Sequence, residues 1–209
     1  SPIKGYTFAS AHHNEPINLV NSSRELIGKE FLKVMAFEPI VVGIAEIAAT
    51  IGTRSLICTG LGSSVAVCAY DPFARVAGMA YVILPECSTN RTTNKPAKYA
   101  NTAIPALMEA MQQEGADPLK LKVALAGGSK MILSNSLASL YDIGTRNVEA
   151  LNNCLKAYDI EVVAVDVGGS DGRTIAIYSD TGKVVVNSSK TVERVLCELG
   201  ESAVKSGVS

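Results

Sequence analysis

SLICTGLGSSVAVCAYDPFARVAGMAYVIL, residues 55–84, decides the architecture. Three β-type runs, SLIC, VAVCAY and MAYVIL, follow one another directly, punctuated by glycine, aspartate and proline. At the centre, LGSSVAV (61–67) is a glycine turn that lifts Ser63 and Ser64 onto the start of an apolar strand. A loop carrying a nucleophile is built this way, yet the nucleophile position holds Ser64. The only two histidines, His12 and His13, are far away in sequence.

Working outward, VVGI (41–44) reads as a strand before this block, and a breaker-rich loop runs from Pro85 to Pro96. Ile104, Leu107, Met108 and Met111 then mark one helical face. Pro105 fits there if the helix begins just before it, where first-turn N–H groups lack partners anyway. LKVALAGG is a buried strand ending in glycines, and Val148, Leu151 and Leu155 mark a second helix. IEVVAVD, RTIAIYS and KVVVN are three more strands, the last two joined by a hairpin at Asp180-Thr181-Gly182. Val192, Val195, Leu196 and Leu199 have helical spacing and predict a terminal helix. Ser22-x-x-Glu25 is a capping box, followed by Ile27, Phe31 and Val34 at helical spacing. Strands outnumber helices and mostly succeed one another directly, so the expected class is α+β, in one domain. The expected divisions are an N-terminal arm and helix (1–40), the main domain (41–188) and a C-terminal helix and tail (189–209).

Composition narrows the function classes. The 209 residues carry formal net charge -1, with 47% hydrophobic and 19% charged residues. That balance gives no electrostatic footprint for nucleic acid. VMAFEPIVVGIAEIAA, an apolar stretch, is broken by Glu38, Pro39 and Glu46, which argues against membrane insertion. The chain opens without a charged segment followed by an apolar one, so a cytoplasmic location is expected. Cys58, Cys68, Cys87, Cys154 and Cys197 are odd in number and irregular in spacing, which points to reduced thiols and no metal site. Gly60-Leu61-Gly62 has Val65 where a dinucleotide loop needs its third glycine. Gly127-Gly128-Ser129-Lys130 lacks phosphate-loop spacing. No cofactor is expected.

Taken together, CTGLGSSVAVCAYDP, AGMAYVILPE, NKPAKYANTAI, LAGGSKM, IGTRNVEAL and VDVGGSDGRTI, in this order, resemble the CheD family of bacterial and archaeal chemotaxis. The resemblance spans roughly Val41 to Val186. It implies a β-sandwich-like core of mostly antiparallel strands with flanking helices. It also implies an activity, deamidation of glutamine side chains on chemoreceptor helices to glutamate, and a partner, the CheC-like phosphatase.

Such chemistry calls for a thiolate, a histidine that takes and returns a proton, and a group that orients the histidine. The family's cysteine, histidine and threonine positions correspond here to Ser64, Tyr81 and Cys58, with Thr59 one residue on. Gly60, Gly62 and Ser63 complete the supporting loop. A hydroxyl stays protonated near neutrality and needs a base even more than a thiol does. A phenol, ionising near pH ~10, neither accepts a proton readily nor forms a cation. The expectation is a protein whose deamidase activity is lost or weak and whose main role is binding a receptor or CheC-like partner. The alternative is an active amidohydrolase with a rewired nucleophile, Cys58 or Ser64. Elsewhere, Cys68 and Cys154 read as core, Asp71-Pro72 as a turn, Lys98-Tyr99 as a helix entry, and Asn147 and Arg146 as ties from the second helix to nearby loops.

Overall fold

In the computed structural model, residues 39–86, 94–130, 142–188 and 190–200 are described. The described residues form one compact unit. The capping box at Ser22, the two histidines, Cys87 and the tail after Gly200 lie outside them.

Among the described residues are ten strands and two α-helices. The strands are β1 (Ile40–Val41), β2 (Ile47–Thr50), β3 (Ser55–Leu61), β4 (Val65–Asp71), β5 (Val76–Val82), β6 (Lys122–Gly127), β7 (Glu161–Val167), β8 (Arg173–Tyr178), β9 (Lys183–Ser188) and β10 (Thr191–Glu198). The helices are α1 (Ala100–Gln113) and α2 (Ile143–Ala157). One sheet has the order β1-β3-β8-β9-β10 and the other β2-β5-β4-β6-β7. Only β1–β3 and β6–β7 pair in parallel, so the core is mostly antiparallel, as the class predicts.

The apolar runs read as uninterrupted because β4 and β5 are covered on both faces. Val65, Val67 and Ala69 pack toward Leu107, Met111 and Leu151 of the helices. Ala66, Cys68 and Tyr70, one residue out of phase, pack toward Leu56, Ile175 and Val184 of the other sheet. The result is three layers: sheet, sheet, helices. Close approach demands small residues here, and at Gly78 a Cβ would collide with the Met111 side chain. The Asp180–Gly182 hairpin forms as expected, with Gly182 at φ 71. The carboxylate of Asp71, itself buried, accepts from Phe73 N (2.8 Å), Ala74 N (3.1 Å) and, across the fold, Asp117 N (2.8 Å).

Three local expectations need correction. VVGI does not form one strand: β1 ends at Val41, and Gly43–Glu46 turns the chain, with Ala45 at φ 60 and Gly43 N donating to Glu46 Oε2. β2, which pairs with β5, had no distinct signal in its IAAT sequence. α1 begins at Ala100, five residues before Pro105, which lies within the helix. Tyr99 starts it, its carbonyl accepting from Thr102 N and Ala103 N, and Pro105, beyond that first turn, lacks the N–H that would continue the helical ladder.

The third correction is the terminal helix, where the structure has strand β10, hairpinned to β9. Ser188 Oγ accepts from Thr191 N and closes the turn. Bulges between Thr191 and Arg194 and between Val195 and Cys197 add residues to the strand. They replace its period of two with apolar spacings of three and four, which is how a strand came to resemble a helix.

Candidate functional site: the Ser64 turn

The site begins with the end of β3. Its register against β8 shifts between Cys58 and Leu61, where Gly60 takes φ 69. A left-handed residue of this kind turns the chain out of the ladder at little cost only when it is glycine. Residues 62–64 then cross to β4.

Each carbonyl of that crossing is held. Ser129 N donates to Gly62 O and Gly128 N to Ser64 O, both at 2.8 Å. Asn147 Nδ2 donates to Ser63 O at 2.9 Å and to Ile83 O at 3.1 Å. The N–H groups of Gly62, Ser63 and Ser64 have no acceptor among the described residues. Bringing β6, the turn and the start of α2 so close together excludes side chains. A Cβ on Gly127 would strike Ser64 O, and one on Gly144 would stand 2.5 Å from Gly128 O. Asn147 is itself buried, and its Oδ1 has no partner among the described residues.

A second tier braces this cradle. Ser129 is fully buried, and its Oγ accepts from Arg173 Nη1 at 2.6 Å. Arg173 Nε in turn pairs with Asp166 Oδ1 at 3.0 Å. Asp142 caps α2 by accepting from Thr145 N, and Lys130 reaches the same carboxylate at 2.9 Å. The Thr145 backbone bond first, then the Thr145 hydroxyl and Lys130, pull the Asp142 carboxyl down to about 2. The sequence reads Gly127-Gly128 only as the glycine end of a strand and assigns nothing to Ser129 or Arg173. The signal was present only as the quoted LAGGSK and SDGRTI blocks.

The structure brings Ser64 and Tyr81 together. Both are nearly buried, at 8% and 5% exposure, and Ser64 Oγ donates to Tyr81 Oη at 3.3 Å. Tyr81 Oη donates onward to Gly60 O, also at 3.3 Å. This chain of protons ends on an amide carbonyl, a group that accepts a hydrogen bond but does not take up the proton at neutral pH. Among the described residues no imidazole approaches it, and His12 and His13 lie outside them.

Cys58 is not joined to this pair by a hydrogen bond. It is fully buried, its Sγ donates to Val42 O at 3.4 Å, and burial pushes the thiol up to about 12. Thr59 and Gly60 are exposed. Cys68 is fully buried, whereas Cys154 is only half-buried against the helical core. Among the described residues no group of three His, Cys, Asp or Glu side chains could hold a metal ion, and no helix is long and apolar enough to cross a membrane.

Comparison with known proteins adds the family. A family model described as CheD chemotactic sensory transduction matches residues 83–188. The chemoreceptor glutamine deamidase CheD of Thermotoga maritima is 40% identical, the alignment covering 70% of this chain and 89% of that protein. A probable chemoreceptor glutamine deamidase CheD of Caldanaerobacter subterraneus is also 40% identical, over 70% of this chain and 91% of its own. A further such protein, from Archaeoglobus fulgidus, is 36% identical over 72% of this chain and 94% of its own. Among solved structures, the Bacillus licheniformis hypothetical protein YfiH superposes with a TM-score of 0.37 and 11% identity, over 59% of this chain and 49% of that one. Relatives at these identities, spanning nearly their whole lengths, make this chain a member of the CheD family.

Proposed function

We propose that this protein acts in chemotaxis by docking on chemoreceptor helices, presenting glutamine side chains to the Ser64 turn without hydrolysing them at a useful rate. The observation that carries this reading is the proton chain from Ser64 through Tyr81 to the Gly60 carbonyl. Amide hydrolysis through a nucleophile needs a base to take the nucleophile's proton and an acid to hand one to departing ammonia. Tyr81 spends its own proton on Gly60 and offers no imidazole equivalent. Positioned acid–base catalysis is typically worth ~10²–10⁴ in rate, and a neutral hydroxyl forfeits it.

What remains suits binding. The N–H groups of residues 62–64, unclaimed among the described residues, are donors of the kind that cradle a carboxamide oxygen. A CheC-like phosphatase is the second partner we assign, on family resemblance, and the protein works in the cytoplasm, where receptor signalling domains lie. The alternative of a rewired enzyme using Cys58 is disfavoured because a thiol held near 12 supplies almost no thiolate at neutral pH.

Ammonia release from a glutamine-bearing receptor-helix fragment tests the reading. The expected result is no release above background and no change in Ser64→Ala. Release that Ser64→Ala abolishes refutes it.

A further inference from the structure

Arg173 meets the Ser64 turn from two sides. Its backbone, at the start of β8, pairs with Leu61, the last residue of β3 before the turn. Its side chain, 10% exposed, crosses to the other sheet, where Nη1 donates to Ser129 Oγ at 2.6 Å and to Asp171 O at 2.9 Å. Ser129 Oγ donates to the same Asp171 O at 2.5 Å, so this hydroxyl uses both its proton and a lone pair.

The N–H groups that hold Ser64 O and Gly62 O belong to Gly128 and Ser129, on an arm where Gly127 and Gly128 take φ 116 and 62. Backbone bonds flank the arm, from Gly168 N to Gly127 O at 3.0 Å and from Lys130 N to Gly169 O at 2.7 Å. Both run to further glycines, at φ 81 and 66. Glycine leaves a backbone its freedom, so the hydrogen bonds of the Ser129 side chain are what pin the arm. The relay continues outward: Arg173 Nε pairs with Asp166 Oδ1 at 3.0 Å, and Asp166 Oδ2 accepts from Arg194 Nη2 at 2.6 Å. Arg194 lies on β10, beyond residue 188, where the family match ends.

We propose that Arg173 is the positioning residue of the Ser64 turn, fixing through Ser129 the two N–H groups that hold it, and that Arg194 makes β10 part of this support by orienting Asp166. A planar guanidinium suits the task, because its fork reaches Asp166, Ser129 and Asp171 at fixed angles. A turn whose carbonyls are held in this way presents its own N–H groups in one orientation. The consequence for helix binding rests on the docking reading above; the support itself does not. The Arg194 pair is half exposed, so its share is the smaller one.

Amide hydrogen exchange on the full chain, followed residue by residue by NMR, tests the support without any ligand. Arg173→Gln and Ser129→Ala should each speed exchange at positions 128 and 129 roughly tenfold or more, while the amides pairing β4 with β5 keep their protection. Ser129→Ala leaves the Arg173–Asp166 pair in place, so it decides the matter if Arg173→Gln fails to fold. Arg194→Gln should speed the same two amides by only about two- to threefold. Added to Ser129→Ala it should change nothing further, because the relay is already cut. Affinity for a glutamine-bearing receptor-helix fragment should fall in the same order. Unchanged exchange at 128 and 129, acceleration spread evenly over the chain, or independent effects of positions 129 and 194 overturn the proposal. An unaltered chain that binds no such fragment counts against the docking reading instead, since the exchange pattern is read without it.

Discussion

The backbone under Ser64 and the side chains presented on it contrast sharply: Gly62, Ser63 and Ser64 each have a carbonyl held by its own donor, whereas among the described residues the Ser64 hydroxyl leads only to a phenol and a carbonyl. The first arrangement is demanded by packing, since three backbones meet where no Cβ fits. The second places no such demand on the fold: it is a matter of which side chains, here serine and tyrosine, meet above the turn. On the reading proposed above, presentation of a nucleophile and the power to use it are separate in this molecule.

The comparison can be attacked at each level. The largest effect falls on Cys58, whose thiol is raised from 9.0 to about 12. Alkylation by iodoacetamide at neutral pH should be roughly a thousandfold slower at Cys58 in the folded chain than after denaturation. Peptide mapping that finds Cys58 modified first would revive the rewired enzyme.

Next come the cradle glycines. Gly127→Ala combines a φ of 116 with a Cβ driven onto Ser64 O. It should cost about 3 kcal/mol or more, seen as a fall of several degrees in melting temperature. Gly52→Ala, at φ 80 but with open space around it, should cost only about 1 kcal/mol. Equal costs would mean that the cradle is not packed as described.

Asn147→Leu should cost about 2–3 kcal/mol in urea unfolding, because the carbonyls of Ser63 and Ile83 are left without their donor. An unchanged midpoint would show that the Asn147 amide does not hold the turn. The smallest effect is at the cap of α2, where Asp142→Ala should cost about 1 kcal/mol. Its folded carboxyl sits at about 2, below the ordinary value near 3.8. The stability it contributes is therefore complete above about pH 4 and lost as pH falls through 2. The wild-type and Asp142→Ala acid-unfolding curves should converge over that window, and a gap persisting below it would exclude the capping role.

Much of this was legible in the sequence because glycine and apolar runs carry unambiguous demands. LGSSVAV had to be a turn leading into a buried strand, LKVALAGG a buried strand ending in glycines, and Asp180-Thr181-Gly182 a hairpin. The pairing of Ser64 with Tyr81 is suggested by family resemblance, not by spacing, since the two stand seventeen positions apart along strand and turn. β10 was misread because its two bulges mimic helical spacing. The start of α1 was misplaced because proline was given more authority than the turn at Tyr99. Arg173 and Ser129 went unassigned because nothing local ties residues 44 apart into one hydrogen bond.

The most direct trial of the separation between scaffold and chemistry is to rebuild the reacting groups on the intact turn. The combined variant Ser64→Cys, Tyr81→His, Cys58→Thr, checked for an unchanged melting profile, should release ammonia from a glutamine-bearing receptor helix at least ~10² times faster than the unaltered chain. A folded variant that stays silent, or an unaltered chain that already releases ammonia through Ser64, would contradict the account.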